Sequence, residues 1–268
     1  MGPLWRAWPE VARRLRGADE VRLFLDFDGT LTPIAAHPRR ARCPAAVRQL
    51  LRRLARRRDV RIAVISGRAA RDVRRMVDVN HVCYVGNHGL EARGRRLRYV
   101  NPVAVKARPI LRHLRGVLER TIHPFAGAWV EDKTLTLTVH YRGTPDRQRA
   151  ALCRRILAAL RPQQAARQIR VTEGKFVVEI RPPVRWGKGT IVRWLMARWP
   201  GGLPIYVGDD VTDEEAFRVL RRDGLTIAVG PVTAATQACY AVRSTRDVQR
   251  LLRQLLAVRA ARGHRDAG

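Results

Sequence analysis

Residues Val21–Thr30 have the sequence VRLFLDFDGT, in which an apolar run ends at two aspartates and a glycine. Such an apolar run predicts a buried β-strand, and Gly29 lets the chain turn sharply directly after it. Asp26 and Asp28 are therefore expected at the carboxyl end of a strand. In open parallel α/β sheets ligands bind at this end, because strand ends and the helix N-termini that follow open onto one crevice.

A second stretch, Ile205–Glu214, has the sequence IYVGDDVTDE and again ends an apolar run with acidic residues. Ordinary turns also favour Asp and Gly, so one Asp-x-Asp alone is weak evidence for chemistry. Carboxylates gathered at two such junctions repel each other unless a cation lies among them, and oxygen ligands that keep water favour Mg²⁺. An EF-hand calcium loop is excluded, because its sixth and twelfth positions are Leu31 and His37.

Two further positions suggest phosphate binding. Arg61–Ile65 predicts a third strand, and Ser66 follows it at the expected N-terminus of a helix, where it either caps the helix or holds a phosphoryl oxygen. Lys188 lies between two glycines ahead of an apolar helix, and Pro182 and Gly189 exclude a Walker phosphate loop. Lys188 is conspicuous because only four of the 53 basic residues are lysines.

The order of strand and helix patterns predicts an α/β fold whose core is a Rossmann-like, doubly wound parallel sheet. The predicted core strands are 21–26, 60–65, 82–86, 204–208 and 225–229. The predicted core helices are 44–58, 68–77, 187–199, 212–220 and 244–257, with a further amphipathic helix within Met1–Gly17. The Arg-, Ala- and Gly-rich residues after Ala257 are expected to be loosely structured.

Between Asn101-Pro102 and Arg181-Pro182 the pattern changes to that of an inserted α/β cap domain. Its predicted elements are helices 104–120 and 145–160 and strands 127–131, 134–140, 169–172 and 176–180. The predicted organisation is a Rossmann-like core domain of residues 1–102 and 182–268 and a cap of residues 103–181.

The formal net charge of +30 suggests a polyanion partner at first sight. Arginine replaces nearly every lysine, and aromatic residues make up 6% of the chain, so we interpret the charge as coding bias without a specific nucleic-acid site. No apolar stretch approaches the ~18 residues of a membrane span. Scattered cysteines and the absence of a secretory signal pattern predict a cytoplasmic protein, and we expect a monomer.

Taken in chain order, the Asp26/Asp28 pair, Ser66, Lys188 and the Gly208–Asp213 loop resemble the four-part pattern of haloacid dehalogenase-type phosphohydrolases. Longer blocks resemble the trehalose-6-phosphate phosphatases, in the capped sugar-phosphatase branch of that superfamily. These blocks are DFDGTLTPI from Asp26, SGR from Ser66, GNHGLE from Gly86, VEDK from Val130, HYR from His140, Gly174-Lys175 with Glu179 and Pro182, and YVGDDVTDEEAF from Tyr206. The resemblance extends from about Val21 to Leu255.

The resemblance implies a Mg²⁺-dependent phosphatase, without an organic cofactor, that converts trehalose 6-phosphate to trehalose and phosphate, the last step of trehalose biosynthesis. Asp26 would be the nucleophile that forms an aspartyl-phosphate, and Asp28 the general acid and base. Ser66 and Lys188 would bind phosphoryl oxygens. The implied metal site consists of Asp26, the Asp28 carbonyl and Asp209, with Asp210 and Asp213 holding metal-bound water or orienting Lys188.

The substrate is the part of the prediction that leaves alternatives. The residues implied to bind the small-molecule sugar phosphate are Arg68, Asn87, His88, Glu131, Lys133, Arg142 and Glu179. One alternative is another sugar phosphatase of the same type, acting on sucrose, mannosylglycerate or glucosylglycerol phosphates. A second alternative, of a different class, is a basic protein that binds polyanions without turnover.

Overall fold

The computed structural model describes residues 2–34, 41–231 and 235–263. The chain divides into two compact units, one formed by Met1–Arg98 and Trp186–Gly268 and the other by Tyr99–Arg185. These divisions lie a few residues from the domain boundaries predicted at 102/103 and 181/182. The first unit contains both acidic loops, and the second contains the insert that the sequence predicts to be a cap.

Strands and helices follow one another along the whole of the described chain. The strands are β1 Gly2–Pro3, β2 Val21–Asp26, β3 Val60–Ile65, β4 Val82–Gly86, β5 Glu91–Gly94, β6 Leu97–Val100, β7 Trp129–Asp132, β8 Leu137–His140, β9 Arg170–Gly174, β10 Val177–Arg181, β11 Leu203–Gly208, β12 Leu225–Val229 and β13 Tyr240–Val242. The helices are α1 Trp8–Gly17, α2 Ala45–Ala55, α3 Ala70–Val77, α4 Pro102–Lys106, α5 Arg108–Ile122, α6 Asp146–Ala165, α7 Lys188–Arg198, α8 Glu214–Leu220 and α9 Thr245–Gly263.

The large sheet has the strand order β1-β13-β12-β11-β2-β3-β4-β5-β6 across the described residues. From β13 to β4 neighbouring strands are parallel. Strand β2 lies at the centre, with Leu25 opposite Val207 of β11 and Asp26 opposite Ile65 of β3. The loops that follow β2, β3 and β11 therefore emerge side by side at one edge of the sheet, which is the predicted location of the site.

Alternation along β2 explains how both faces of the sheet are covered. Leu23 and Leu25 belong to an apolar cluster that also includes buried residues of α1, α2, α3 and α9. Phe24 stacks on Trp199, which directly follows α7, with ring centroids 6.0 Å apart. Helices on both faces of a mostly parallel sheet define a doubly wound α/β fold, so the predicted fold class is confirmed.

Several local predictions differ from the structure. The helix after Ser66 begins only at Ala70, so Ser66 is not its N-cap; the N-cap position belongs to Ala69. Helix α9 continues to Gly263, beyond the end predicted near Ala257, and the side chain of Arg259 in this extension is buried. The N-terminal segment forms the short strand β1 before its helix. The hairpin of β5 and β6 was not predicted, since its Arg- and Gly-rich sequence lacks a clear apolar alternation.

The second unit is built on an antiparallel sheet with the strand order β7-β8-β10-β9. Val139 of β8 lies opposite Val130 and Val178, and these side chains join an apolar core with α5 and α6. The other face of the sheet carries polar and aromatic side chains. This unit therefore has a hydrophobic core of its own.

Among the described residues, no helix combines the length and apolarity that crossing a bilayer would require.

Candidate active site

The two acidic loops predicted from the sequence meet in the first unit. Gly29, in the turn after β2, has φ +85°, and a Cβ atom built there would collide with the carboxylate of Asp209. The hydroxyl of Thr30 donates a hydrogen bond to Asp209 Oδ1 over 3.3 Å. Glycine is therefore required at position 29 both for the backbone conformation and for the close approach of Asp209.

Lys188 links the two loops through its ammonium group. Its Nζ atom lies 2.7 Å from Asp26 Oδ1 and 2.7 Å from Asp213 Oδ1. All three residues are buried, with relative exposures of 3% for Lys188, 4% for Asp26 and 0% for Asp213. Lys188 is the first residue of α7, so the start of this helix supplies the cation that the sequence placed between two glycines.

Asp213 is the most heavily hydrogen-bonded of the predicted acids. Its Oδ1 atom also accepts from the Tyr206 hydroxyl over 2.6 Å. Its Oδ2 atom accepts from the backbone N–H groups of Asp209 and Asp210, over 3.1 and 3.0 Å. These bonds fix the loop after β11 and hold Lys188, which is the orienting role implied for Asp213.

A divalent cation fits the acidic cluster. Within the described part of the chain, Asp26, Asp209 and Asp213 each offer a carboxylate oxygen, and these oxygens lie within 4.8 Å of one another. Such a set of hard oxygen donors suits Mg²⁺. Asp210 is exposed, and its carboxylate accepts from the Val211 N–H over 2.7 Å.

Burial is the main cause of the pKa shifts of the carboxylates in this cluster, and repulsion between the carboxylates adds to it. Burial raises the pKa of Asp26 well above its usual value; Lys188 opposes this, while Asp213 and Asp209 add to it. Burial and the charge of Asp213 raise the pKa of Asp209 to about 6. Burial alone would lower the pKa of Lys188, but its attraction to Asp26 and Asp213 outweighs burial and raises it. Three carboxylates share one ammonium, and a divalent cation would balance them.

Asp28 is held by an arginine of the loop after β3. Arg68 donates from Nε to Asp28 Oδ2 over 2.7 Å and from a terminal nitrogen to Oδ1 over 2.6 Å. This two-point contact orients the carboxylate that the sequence predicts to act as general acid. Ser66 is buried, and its hydroxyl oxygen accepts from the Arg68 N–H over 3.1 Å.

The Asn87-His88 turn lies next to the same loop. The N–H of Asn87 donates to the Arg68 carbonyl over 2.7 Å, and the N–H of His88 donates to the Ser66 carbonyl over 3.0 Å. The Asn87 side chain donates to Glu91 Oε1 over 2.8 Å. Asn87 and His88 both have positive φ, 51° and 54°, a conformation that asparagine tolerates better than most residues.

The predicted sugar-binding residues of the second unit lie mainly on the polar face of its sheet. Lys133 Nζ is 3.9 Å from Glu131 Oε2 and 3.9 Å from Glu179 Oε1. His140 Nε2 lies 2.8 Å from Glu131 Oε2, and its ring stacks on Trp129 with centroids 4.1 Å apart. The structure therefore brings Glu131, Lys133 and Glu179 together. Arg142 is exposed, and its guanidinium lies 5.7 Å from the centre of the Phe176 ring.

A family model described as trehalose-phosphatase matches residues 24–249, which include both acidic loops and the whole second unit. The chain belongs to the trehalose-phosphatase family. Membership of this family places it among the phosphoric monoester hydrolases. The resemblance predicted from the sequence, and the class of enzyme that it implied, are thereby confirmed.

Relatives in plants and bacteria match most of the chain. The probable trehalose-phosphate phosphatase 4 of Oryza sativa subsp. japonica is 32% identical over 261 residues, which cover 92% of this chain and 68% of the relative. The trehalose-phosphate phosphatase of Mycobacterium tuberculosis is 36% identical over 251 residues, which cover 89% of this chain and 63% of the relative. The chain thus spans about two thirds of the length of these family members.

Solved structures of family members have a similar fold. A trehalose-6-phosphate phosphatase related protein superposes with a TM-score of 0.77 at 25% identity, over 89% of this chain and 99% of its own. The C-terminal domain of the C. albicans trehalose-6-phosphate phosphatase superposes with a TM-score of 0.79 at 23% identity, over 93% and 97%. This last likeness supports the fold alone.

Tyr206, Glu91 and His140 contact predicted site residues but were not themselves predicted as members of the site. Tyr206 and Glu91 lie on strands, where the period of the apolar pattern does not reveal a polar contact. His140 lies in a block that resembles the family. Thr138 is opposite Glu131 in the sheet, and His140 follows Thr138 by two residues, so the alternation of side chains places His140 on the same face as Glu131. That alternation was the available signal for His140.

Proposed function

We propose that this trehalose-phosphatase family member is a Mg²⁺-dependent enzyme that hydrolyses trehalose 6-phosphate to trehalose and phosphate. The observation that carries the proposal is the buried Asp26–Lys188–Asp213 arrangement next to the Arg68–Asp28 pair. It combines a nucleophile, a proton donor and a cation at the carboxyl end of the central strand. The names of the rice and mycobacterial relatives support the choice of substrate.

The reaction follows from the roles of two carboxylates. Asp26 attacks phosphorus while the bond from phosphorus to the sugar oxygen breaks, and Asp28 gives its proton to that oxygen. Water then attacks the aspartyl-phosphate, Asp28 accepts a proton from the water, and the Asp26 carboxylate is released with phosphate. Asp26, the backbone carbonyl of Asp28 and Asp209 would hold Mg²⁺, which when bound supplies positive charge against anionic repulsion.

Lys188 and Ser66 are proposed to bind phosphoryl oxygens. The ammonium of Lys188 is already fixed by two carboxylates, so it is positioned before substrate arrives and loses little freedom on binding. Asp213, which is itself held by the Tyr206 hydroxyl, helps to keep it in place. Ser66 is directly after β3, and its hydroxyl is ordered by the Arg68 N–H.

Discrimination between phosphorylated sugars is proposed to come from residues beyond the phosphoryl site. Glu131, Lys133 and Glu179 form one charged group on the second unit, and such side chains suit a ligand with many hydroxyls. Arg68, Arg142, Asn87 and His88 complete the proposed set. A cap role for the second unit, with closure that excludes bulk water, is part of the proposal.

Phosphate release from a panel of phosphosugars tests the proposed substrate. The panel contains trehalose 6-phosphate, sucrose 6-phosphate, glucosylglycerol phosphate, mannosylglycerate phosphate and glucose 6-phosphate, each with Mg²⁺ and with a chelator. We expect the highest kcat/KM for trehalose 6-phosphate and loss of turnover with the chelator. If sucrose 6-phosphate were hydrolysed equally fast, the proposed substrate would be wrong.

The nucleophile is tested separately with Asp26→Asn, which keeps the shape of the side chain and removes its charge. We expect this variant to fold and to lose turnover, whereas a polyanion-binding protein without catalysis would show no turnover with Asp26 present.

Cytoplasmic location and a monomeric state also stay predictions. The four cysteines are free thiols, which suits a reducing compartment.

A further inference from the structure

Glu91 is a buried carboxylate that the proposed mechanism does not use. It is 8% exposed, at the start of β5. Its Oε1 atom accepts two hydrogen bonds, from the Ala70 N–H over 3.0 Å and from the Asn87 side chain over 2.8 Å. A single oxygen therefore joins two segments that are close to the proposed site.

The first of these segments is the start of α3. The N-cap residue Ala69 has no side chain that could accept from the first N–H groups of the helix. Glu91 supplies the missing acceptor from strand β5, and its negative charge suits the positive end of the helix dipole. The conformation between Ser66 and Ala70 thus depends on a residue far along the chain.

The second segment is the Asn87-His88 turn, in which both residues have positive φ. Asn87 is 0% exposed, so its amide group requires a buried partner, and Glu91 provides one. The backbone of this turn in turn donates to the carbonyls of Arg68 and Ser66. Glu91 therefore holds the Ser66–Ala70 loop both directly, at Ala70, and through Asn87.

Arg68 is the residue through which this loop reaches the chemistry. Its guanidinium contacts both oxygens of Asp28. We propose that Glu91 is a positioning residue: it fixes the Ser66–Ala70 loop so that Arg68 presents Asp28 in the orientation for proton transfer to the leaving oxygen. The inference rests on the proposed function, because it assigns the effect to the general-acid step.

A positioning role at the general-acid step makes the effect of Glu91 depend on the leaving group. A leaving oxygen of high pKa requires a proton during bond breaking, whereas p-nitrophenolate departs without one. Loss of the Glu91 contact should therefore slow poor leaving groups more than good ones. A general loss of folded protein would reduce the rates for all substrates by the same factor.

The experiment compares Glu91→Ala and Glu91→Gln with the unsubstituted protein on trehalose 6-phosphate and on aryl phosphates of increasing leaving-group pKa. Gln keeps the Oε1 acceptor for both hydrogen bonds, so Glu91→Gln should retain kcat/KM within about threefold. For Glu91→Ala, kcat/KM should fall about tenfold further for the poorest leaving group than for p-nitrophenyl phosphate. Arg68→Ala should also slow poor leaving groups more than good ones. The double variant Glu91→Ala/Arg68→Ala should depend on the leaving group no more strongly than Arg68→Ala alone.

Tyr84→Phe is the matched control for lost stability. Tyr84 lies in strand β4, which precedes the Asn87 turn. Its hydroxyl accepts a hydrogen bond from the Val79 N–H and donates one to the Val79 carbonyl. We expect Tyr84→Phe to lower the melting temperature without changing the leaving-group dependence. Hydrogen exchange supplies a readout independent of activity: segments 66–70 and 86–90 should exchange faster in Glu91→Ala and at the original rate in Glu91→Gln.

The outcomes separate the two proposals. If the unsubstituted protein released phosphate from none of the substrates, the proposed function would fail. If it were active and Glu91→Ala slowed every substrate by one factor, only the positioning role would be overturned. The same holds if Glu91→Gln were impaired as severely as Glu91→Ala, because the acceptor oxygen would then not be the group that matters.

Discussion

At the scale of single residues, Lys188 is both the cation of the proposed phosphoryl site and the group that makes the acidic cluster tolerable. It separates the buried carboxylates of Asp26 and Asp213, each 2.7 Å from its Nζ atom. Removing one partner of a buried ion pair leaves an uncompensated charge, which costs more than the pair contributes. Stability and chemistry therefore depend on the same side chain.

We predict that Lys188→Met lowers the free energy of unfolding by about 3 kcal/mol in the presence of a chelator. Adding Asp26→Asn removes one of the two negative charges that Lys188 neutralises, so the double variant should be more stable than Lys188→Met alone. Urea unfolding followed by circular dichroism measures both effects. Lys106→Met, at an exposed position, is the control and should change stability by less than about 0.5 kcal/mol. Additive losses in the double variant would contradict the prediction.

At the scale of elements, α9 is anchored by an arginine that the sequence alone placed in a loose tail. The guanidinium of Arg259 is buried and donates to the carbonyls of Leu15, Ala18 and Asp19. It also donates to Asp59, just before β3, over 2.8 Å. Helix α9 is thus tied to the end of α1 and to the start of a core strand.

This anchor predicts a pH dependence of stability. Burial raises the pKa of Asp59, but hydrogen bonds from Arg57 and Arg259 outweigh burial and bring the pKa below its ordinary value. A lowered folded-state pKa stabilises the protein above the ordinary pKa of ~3.9, and that stabilisation is lost as the pH falls through the folded-state pKa. The stability advantage over Asp59→Asn should therefore be present at neutral pH and shrink below about pH 4.

Urea unfolding of the two proteins over a series of pH values measures this difference. Asp223→Asn is a suitable control, because Asp223 is exposed and its substitution should have little effect on stability. A difference between the original protein and Asp59→Asn that grew on acidification would have the wrong sign for a carboxylate stabilised by arginines.

The sheet of the second unit leads to a prediction about substrate choice. Glu131 lies on the polar face with Lys133 and His140, whereas Glu173 is exposed and pairs with Val178, whose side chain points into the apolar core. Glu131→Ala should lower kcat/KM about tenfold or more for trehalose 6-phosphate, because a site built for hydroxyls loses a partner. Hydrolysis of p-nitrophenyl phosphate should change little.

Glu173→Ala is the matched control in the same sheet, and both of its activities should stay close to those of the original protein. Equal losses on the two substrates in Glu131→Ala would indicate damage to the phosphoryl site or to folding, and would remove Glu131 from the proposed sugar-binding set.

At the scale of the whole molecule, the net charge of +30 opposes compaction. We predict that the melting temperature rises as NaCl increases from about 0.05 to about 0.5 M, because salt screens the repulsion among arginines. The exposed residues Arg53 and Arg58 provide the comparison: in the variant Arg53→Glu/Arg58→Glu the rise should be smaller. Differential scanning calorimetry checks this, and a melting temperature that falls with salt would show that favourable ion pairs dominate.

The amino-acid sequence was sufficient to predict the α/β fold, the order of the core strands and helices along the chain, and the meeting of the two acidic loops. These features follow from local patterns: apolar runs specify strands, helical periods specify the crossovers, and parallel pairing brings the carboxyl ends of β2, β3 and β11 to one edge. The family resemblance adds the roles that are proposed for the site residues.

Only the tertiary structure decided which donor meets which oxygen. Lys188 reaches Asp26 across 162 residues of chain, Arg68 reaches Asp28 across 40, and Arg259 reaches Asp59 across 200. Glu91 accepts a hydrogen bond from the first N–H group of α3, and the sequence around Glu91 does not indicate this contact. Such contacts depend on where separate elements pack in space, and burial then determines their strength, because water no longer competes for the polar groups.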